Sequence, residues 1–222
     1  MKRIPTLAMT LLAALAAAST ACSSRRPGPA YENVRVPPAI DLRQHEMIGV
    51  VEFESSSRGK LGPLATRRFT EEARREQGMI RMVDLGPQDQ ALRSVSRDRW
   101  DPAAFQAVGR DRGVRTLVAG RLTVSEVKPD IRVAATLRSG QITARVDATL
   151  EVQLIETATG ASLWSGSARA TREVGHISVL RGRAFSFDAD DPEAAYGDLV
   201  DALVGQVTRD FKATWERRPA AY

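Results

Sequence analysis

Ile142-Thr143-Ala144-Arg145-Val146-Asp147-Ala148-Thr149-Leu150-Glu151-Val152-Gln153-Leu154 alternates apolar and polar side chains without a break. A period of two sends even-numbered residues to one face and odd-numbered residues to the other. The stretch therefore predicts a long strand with one buried and one wet face, the pattern of an antiparallel sheet. Ile131, Val133, Ala135 and Leu137 alternate in the same way just upstream, and Ser139-Gly140 between the two runs suits a tight hairpin turn. Downstream, Thr159-Gly160 marks a second turn, and residues 162–172 read as the returning strand. The length also fits the wall of a membrane barrel, where strands take about 9–11 residues. Ala135, Ala144 and Ala148 on the apolar face and the lack of an aromatic girdle favour a sheet covered by helices instead.

Towards the N-terminus the pattern changes from alternating to continuous. Residues 47–53 (MIGVVEF), 79–85 (MIRMVDL) and 114–124 (VRTLVAGRLTV) are apolar runs, as expected of strands buried on both faces. Residues 54–59 (ESSSRG) read as a polar loop. Leu61, Leu64, Ala65, Phe69 and Ala73 then recur at helical spacing, with Gly78 at a helix C-terminus. Asp101-Pro102 is an N-cap acid followed by proline at the first helical position; Phe105 and Val108 face inward, and Gly113 stops that helix. Near the C-terminus, Asp191-Pro192 repeats the start signal. Tyr196, Leu199, Leu203, Val207, Phe211 and Trp215 make an apolar stripe, and Arg217 and Arg218 complement the helix dipole at its end. The expected fold is thus a single α/β (α+β) domain over 45–218. It has a mixed sheet, a strand–helix–strand–helix–strand first half, an antiparallel meander in the second half and a C-terminal helix.

Residues 1–21 read as a secretory leader: Lys2 and Arg3, an apolar run from residue 7 to 18, then small residues. That run is about a dozen residues, short of the roughly 20 needed to span a bilayer. Cys22 ends the pattern, and it is the only cysteine in the chain. A leader ending on cysteine resembles the bacterial lipoprotein signal, which implies diacylglycerol on the Cys22 thiol, cleavage before it and acylation of the new N-terminus. Ser23, rather than aspartate, follows; under the enteric sorting rule this implies the outer membrane, with the protein facing the periplasm. Residues 22–44 hold Pro27, Gly28, Pro29, Pro37 and Pro38 with few large apolar side chains, and read as a flexible linker. Removing residues 1–21, which contain two basic side chains and no acid, takes the 32 Lys and Arg to 30 against 27 Asp and Glu. A net +3 on a chain rich in both signs gives no case for nucleic acid as a partner.

Three segments resemble the envelope lipoproteins related to the curli-secretion channel lipoprotein (CsgG-like) and the penicillin-binding-protein activator (LpoB-like). They are the opening strand Ile48-Gly49-Val50-Val51-Glu52-Phe53, the strand Leu117-Val118-Ala119-Gly120-Arg121-Leu122, and the hairpin from Val152 through Thr159-Gly160 to Trp164. Glu52 stands where that family has proline. The resemblance implies one of two partners: a peptidoglycan synthase regulated by contact, or copies of the chain itself in a secretion ring.

The enzyme reading is thin. The histidines are His45, at the linker edge, and His176, in a glycine-flanked connection; both are expected in plain surface or loop roles. The sequence has no G-x-S-x-G, H-E-x-x-H, phosphate-loop or dinucleotide signature. Asp188, Asp190, Asp191 and Glu193 cluster, but without the glycine and closing glutamate of a calcium loop; they read as acids at a helix N-terminus. No catalytic, metal or cofactor residue is expected. An envelope hydrolase is the minority alternative, and it would have to use His45 or His176.

Overall fold

The computed structural model describes residues 31–56, 60–125, 128–130, 143–174 and 192–220. The described residues fall into two compact units, one holding residues 31–36 and 215–220 and the other running from Pro37 to Thr214. In the first unit, β1 (Tyr31–Val36) forms a two-stranded sheet with a strand at the other end of the chain.

The second unit begins with a single turn of 3-10 helix, Leu42–Gln44, capped by the Asp41 side chain. A seven-stranded sheet follows. β2 (Ile48–Val50) and β3 (Glu54–Ser55) both pair in parallel with the same later strand, one residue out of step with each other. They are therefore one line beside that strand, with a jog at 51–53. α1 (Leu61–Gln77) starts where Gly62 lies against that jog: a Cβ on Gly62 would sit 2.2 Å from the Phe53 carbonyl oxygen. Leu61, Leu64, Ala65, Phe69 and Ala73 all point inward as their spacing predicts, and Gly78 ends the helix at φ +75°. β4 (Met82–Asp84) lies parallel to β2. The expected polar connection after it contains a short helix, α2 (Gln88–Ser94). α3 (Pro102–Arg112) is capped as read from the sequence: the Asp101 carboxylate accepts the Ala104 N–H at 2.7 Å, and Gly113 is left-handed at φ +64°.

β5 (Thr116–Val124) pairs with β2 on one side and with β7 (Thr143–Glu156) on the other; β6 (Lys128–Asp130) pairs with the first residues of β7. β8 (Ser162–Val174) runs antiparallel along the far edge of β7, with a bulge at Leu154/Ile155. The Thr159-Gly160 turn joins them, Gly160 at φ +73°. The expected strand over 131–137 and its turn at Ser139-Gly140 lie outside the described residues.

α4 (Pro192–Val207) and α1 cover one face of the sheet; α2 and α3 cover the other face over β2 and the first part of β5. Two apolar clusters result. The larger holds the even-numbered side chains of β7 (Val146, Ala148, Leu150, Val152, Leu154), the inward stripe of α4 and a chain of aromatic rings. Phe53 meets Phe69 at 5.4 Å, Phe69 meets Phe211 at 5.9 Å, and Phe211 meets Trp164 at 4.8 Å. Gly120 makes room for this chain: a Cβ there would lie 2.8 Å from the Phe53 ring.

Two expectations are corrected. The terminal helix does not reach Trp215. It tightens to a 3-10 turn at Thr208–Phe211, and the chain then extends as β9 (Thr214–Pro219), the partner of β1. Phe211 stays buried because the tighter turn keeps it over the core, whereas Trp215 is 69 % exposed and Arg217 and Arg218 belong to a strand. The stretch 22–44 is likewise not all linker. Residues 31–36 are β1, and Leu42 is 1 % exposed. The buried Gln77 amide clips this segment down: its Oε1 accepts the Leu42 N–H at 3.1 Å, and its Nε2 donates to the carbonyls of Ile40 (3.0 Å) and Phe211 (2.6 Å). Those partners lie 35, 37 and 134 positions away, so no local reading of composition finds them.

Candidate functional site

Parallel strands followed by helices on opposite faces leave a crevice beyond their carboxyl ends. β2 is followed by α1 on one face, and its neighbour β4 by α2 and α3 on the other, so the crevice falls between residues 50–52 and 82–84. A cleft of about 420 Å³ lies there, lined by Glu52, Asp84, Glu71, Arg67, Arg74 and Val83 among others. Arg74 Nη2 donates to the Met82 carbonyl at 3.0 Å, and Asp84 Oδ1 accepts the Gly86 N–H at 2.8 Å. Glu52 is half-buried. Burial first, then the negative charges of Asp84 and Asp89, hold its carboxyl above the usual range. The cleft mixes apolar lining from Val50, Pro63, Met82 and Val83 with charges of both signs: carboxylates of Glu52, Asp84 and Glu71 and the guanidiniums of Arg67 and Arg74 on α1.

A second feature lies on the face covered by α2 and α3, where that cover stops. Trp100 and Phe105 stack at 5.0 Å with 19° between rings. The Trp100 indole N–H donates to Gln88 Oε1 at 2.7 Å, and Gln88 Nε2 reaches the Gly120 carbonyl at 3.4 Å. Below this shelf, Arg121 holds Glu54 at 2.9 Å. With Glu151 and Gln153 these residues line a cleft of about 300 Å³. It opens onto the outer surface of β5, β7 and β8, where register sets rows of polar side chains: Arg121–Glu151–Ser167, then Thr123–Thr149–Arg169, then Asp147–Thr171. Thr171 donates to Asp147 at 2.6 Å. Neither of the two apolar clusters packs on these rows. Chemically this is a flat surface of both charge signs and hydroxyls, with one aromatic step at its margin. It suits a contact that forms and breaks in water.

The residues singled out in the sequence divide by region. Cys22, His176, Asp188, Asp190 and Asp191 lie outside the described residues; Glu193 falls in the first turn of α4. His45 is half-buried beside β5, its Nδ1 2.9 Å from Thr116 Oγ1, and burial lowers its pKa. This is the arrangement of a side chain that fastens the entry of β2 to β5. Among the described residues no three His, Cys, Asp or Glu side chains converge as a metal-binding group. Sequence reasoning missed both clefts. Gly86-Pro87 followed by Ala91-Leu92 was the available sign of α2, and through it of the shelf under Trp100.

No family model and no curated protein matches the chain. Solved structures similar to it include PelC dodecamers from Paraburkholderia phytofirmans, at 16 % identity and a TM-score of 0.40, covering 84 % of this chain and 99 % of that one in one crystal form. The LpoB C-terminal domain from Salmonella enterica is 15 % identical with a TM-score of 0.37, covering 58 % of this chain and 84 % of that one. Lipoprotein GNA1162 from Neisseria meningitidis is 19 % identical with a TM-score of 0.36, covering 73 % and 97 %. No function passes from these proteins to the chain at such scores.

Proposed function

We propose that this chain is a lipid-anchored protein of the bacterial envelope, tethered to the outer membrane through Cys22 and facing the periplasm. Its domain acts by contact, not catalysis, on a peptidoglycan synthase. The leader ending on Cys22 supports the anchor, and the resemblance of residues 48–53, 117–122 and 152–164 to the penicillin-binding-protein activators supports the partner. The observation that carries the mode of action is the outer surface of β5, β7 and β8. Two helices stop short of it, neither apolar cluster packs on it, and Asp147 and Thr171 on it hold each other rather than a cover.

A photo-crosslinking residue at Glu151 or Arg169, used in living cells, tests this reading. The expected product is an adduct with a peptidoglycan synthase, together with a palmitate label that Cys22→Ala removes. An unlabelled wild-type chain overturns the anchor. An activity abolished by His45→Ala with His176→Ala overturns the contact reading. A second reading, a ring of the chain's own copies, is favoured by β8: among the described residues this 13-residue strand pairs only with β7. It is distinguished by a large oligomer after detergent extraction and by adducts of the chain with itself.

A further inference from the structure

The ribbon of β1 and β9 is poorly explained by the rest of the protein. Isolated two-stranded sheets are marginal in water, and none of its twelve residues is buried. Its faces are also unlike. Arg217 lies over the Tyr31 ring, 4.8 Å from its centre, so these two share a face. Alternation along each strand then puts Asn33, Arg35 and Trp215 with them. The other face carries Glu32, Val34, Val36, Glu216 and Arg218, with Glu216 and Arg218 paired at 2.8 Å. Both acids are on that second face; the first has two aromatic rings, two arginines and no acid. Tyr31 and Trp215, at 50 % and 69 % exposure, are the exposed large aromatics among the described residues.

Charge is distributed in the same way. After residue 21, residues 22–36 and 215–222 hold Arg25, Arg26, Arg35, Arg217 and Arg218 against Glu32 and Glu216. That is a net +3, the whole excess of the chain after residue 21, and residues 37–214 are neutral. Tyr31 follows Cys22 by nine positions, a reach of at most about 30 Å.

We infer that the face of Tyr31, Arg35, Trp215 and Arg217 is a membrane-contact surface that lies on an anionic lipid headgroup layer. Tyrosine and tryptophan rings sit at that depth because one end is apolar and the other polar. Arginines beside them pair with lipid phosphates. The inference uses the acyl tether only to say what holds the ribbon near a bilayer; the affinity of the face for lipid belongs to the ribbon itself.

The test is tryptophan fluorescence of the full chain, purified from membranes and mixed with vesicles of phosphatidylglycerol and phosphatidylethanolamine whose acyl chains carry bromine. The expected result is quenching that disappears in Trp215→Phe, since Trp100 is half-buried and Trp164 buried. Arg35→Ala with Arg217→Ala should weaken docking of the ribbon on the anionic vesicles, read as quenching, by about ten- to thirtyfold, and quenching by phosphatidylcholine vesicles should be equally weak with or without that change. Far-ultraviolet circular dichroism should stay unchanged, because both variants alter exposed side chains only. Quenching that persists in Trp215→Phe, no quenching at all, or retention on purified peptidoglycan without quenching each overturns the inference. The acyl tether is read separately from the mass of the Cys22 peptide, so an unmodified Cys22 with intact quenching would sink the anchor and leave the ribbon surface standing.

Discussion

The two halves of the sheet are built to different rules, and the change occurs inside one strand. In β5, Thr116, Leu117 and Val118 are all buried, because α1 lies on one side and α2 with α3 on the other. Past Gly120 the same strand alternates: Arg121 exposed, Leu122 buried, Thr123 exposed. β7 keeps that alternation from Val146 to Leu154, and β8 from Trp164 to Thr171. Parallel strands need a connection that crosses the sheet and brings a helix with it, so both of their faces become covered; hairpins bring none. One half of the molecule therefore spends both its surfaces on stability, and the other keeps one surface for contact.

Substitution along neighbouring positions should expose this difference most strongly. Leu117→Ala and Leu150→Ala should each cost about 2–5 kcal/mol, one in each half. Moving one residue should separate the halves. Val118→Ala, next to Leu117, should remain expensive at about 1–3 kcal/mol, whereas Glu151→Ala, next to Leu150, should stay within about 0.5 kcal/mol. Urea unfolding of the four variants measures this; a large loss in Glu151→Ala would show that the outer face is covered after all. Next in size, Gln77→Leu should cost about 1–3 kcal/mol, since it strands the Leu42 N–H and the carbonyls of Ile40 and Phe211. Hydrogen exchange should then rise first at residues 40–42. Glu151→Arg should leave the unfolding midpoint in place while reducing partner capture in the crosslinking assay.

The smallest expected effect is a pH dependence at Glu52. Its folded pKa is raised, so its ionisation costs stability as pH climbs through that value and costs nothing below the ordinary carboxylate pKa. Glu52→Gln should thus be slightly more stable than the parent at pH 7, on the order of 0.5 kcal/mol. The two melting temperatures should converge near pH 4. A variant less stable at both pH values would mean that the carboxylate makes a contact worth keeping.

Much of the fold was legible because binary pattern is local. The strict alternation of residues 142–154 marked β7 and its buried face, and Asp101-Pro102 with Gly113 bracketed α3 within a residue. What stayed hidden depended on partners far along the chain. The apolar stripe of α4 continues through Phe211 towards Trp215 in sequence, but residues 214–219 leave the helix to pair with β1, far earlier in the chain, and Trp215 is exposed. The segment 31–44 looked sparse because Leu42 owes its burial to Gln77. Of the candidate sites, the polar rows of β5, β7 and β8 could be read as the wet side of the alternation. The shelf of Trp100 and Phe105 could not, since it needs α2, a helix of seven residues with little periodicity to show.

The clip made by Gln77 also settles how the domain bears load. One amide, projecting from the last turn of α1, holds the entering chain at Ile40 and Leu42 and the leaving chain at Phe211. A pull on the chain entering at Ile40 is therefore shared with the chain leaving at Phe211 through a single buried side chain. Entry and exit of the domain are thereby tied to one helix, away from the hydrogen-bond ladders of β7 and β8.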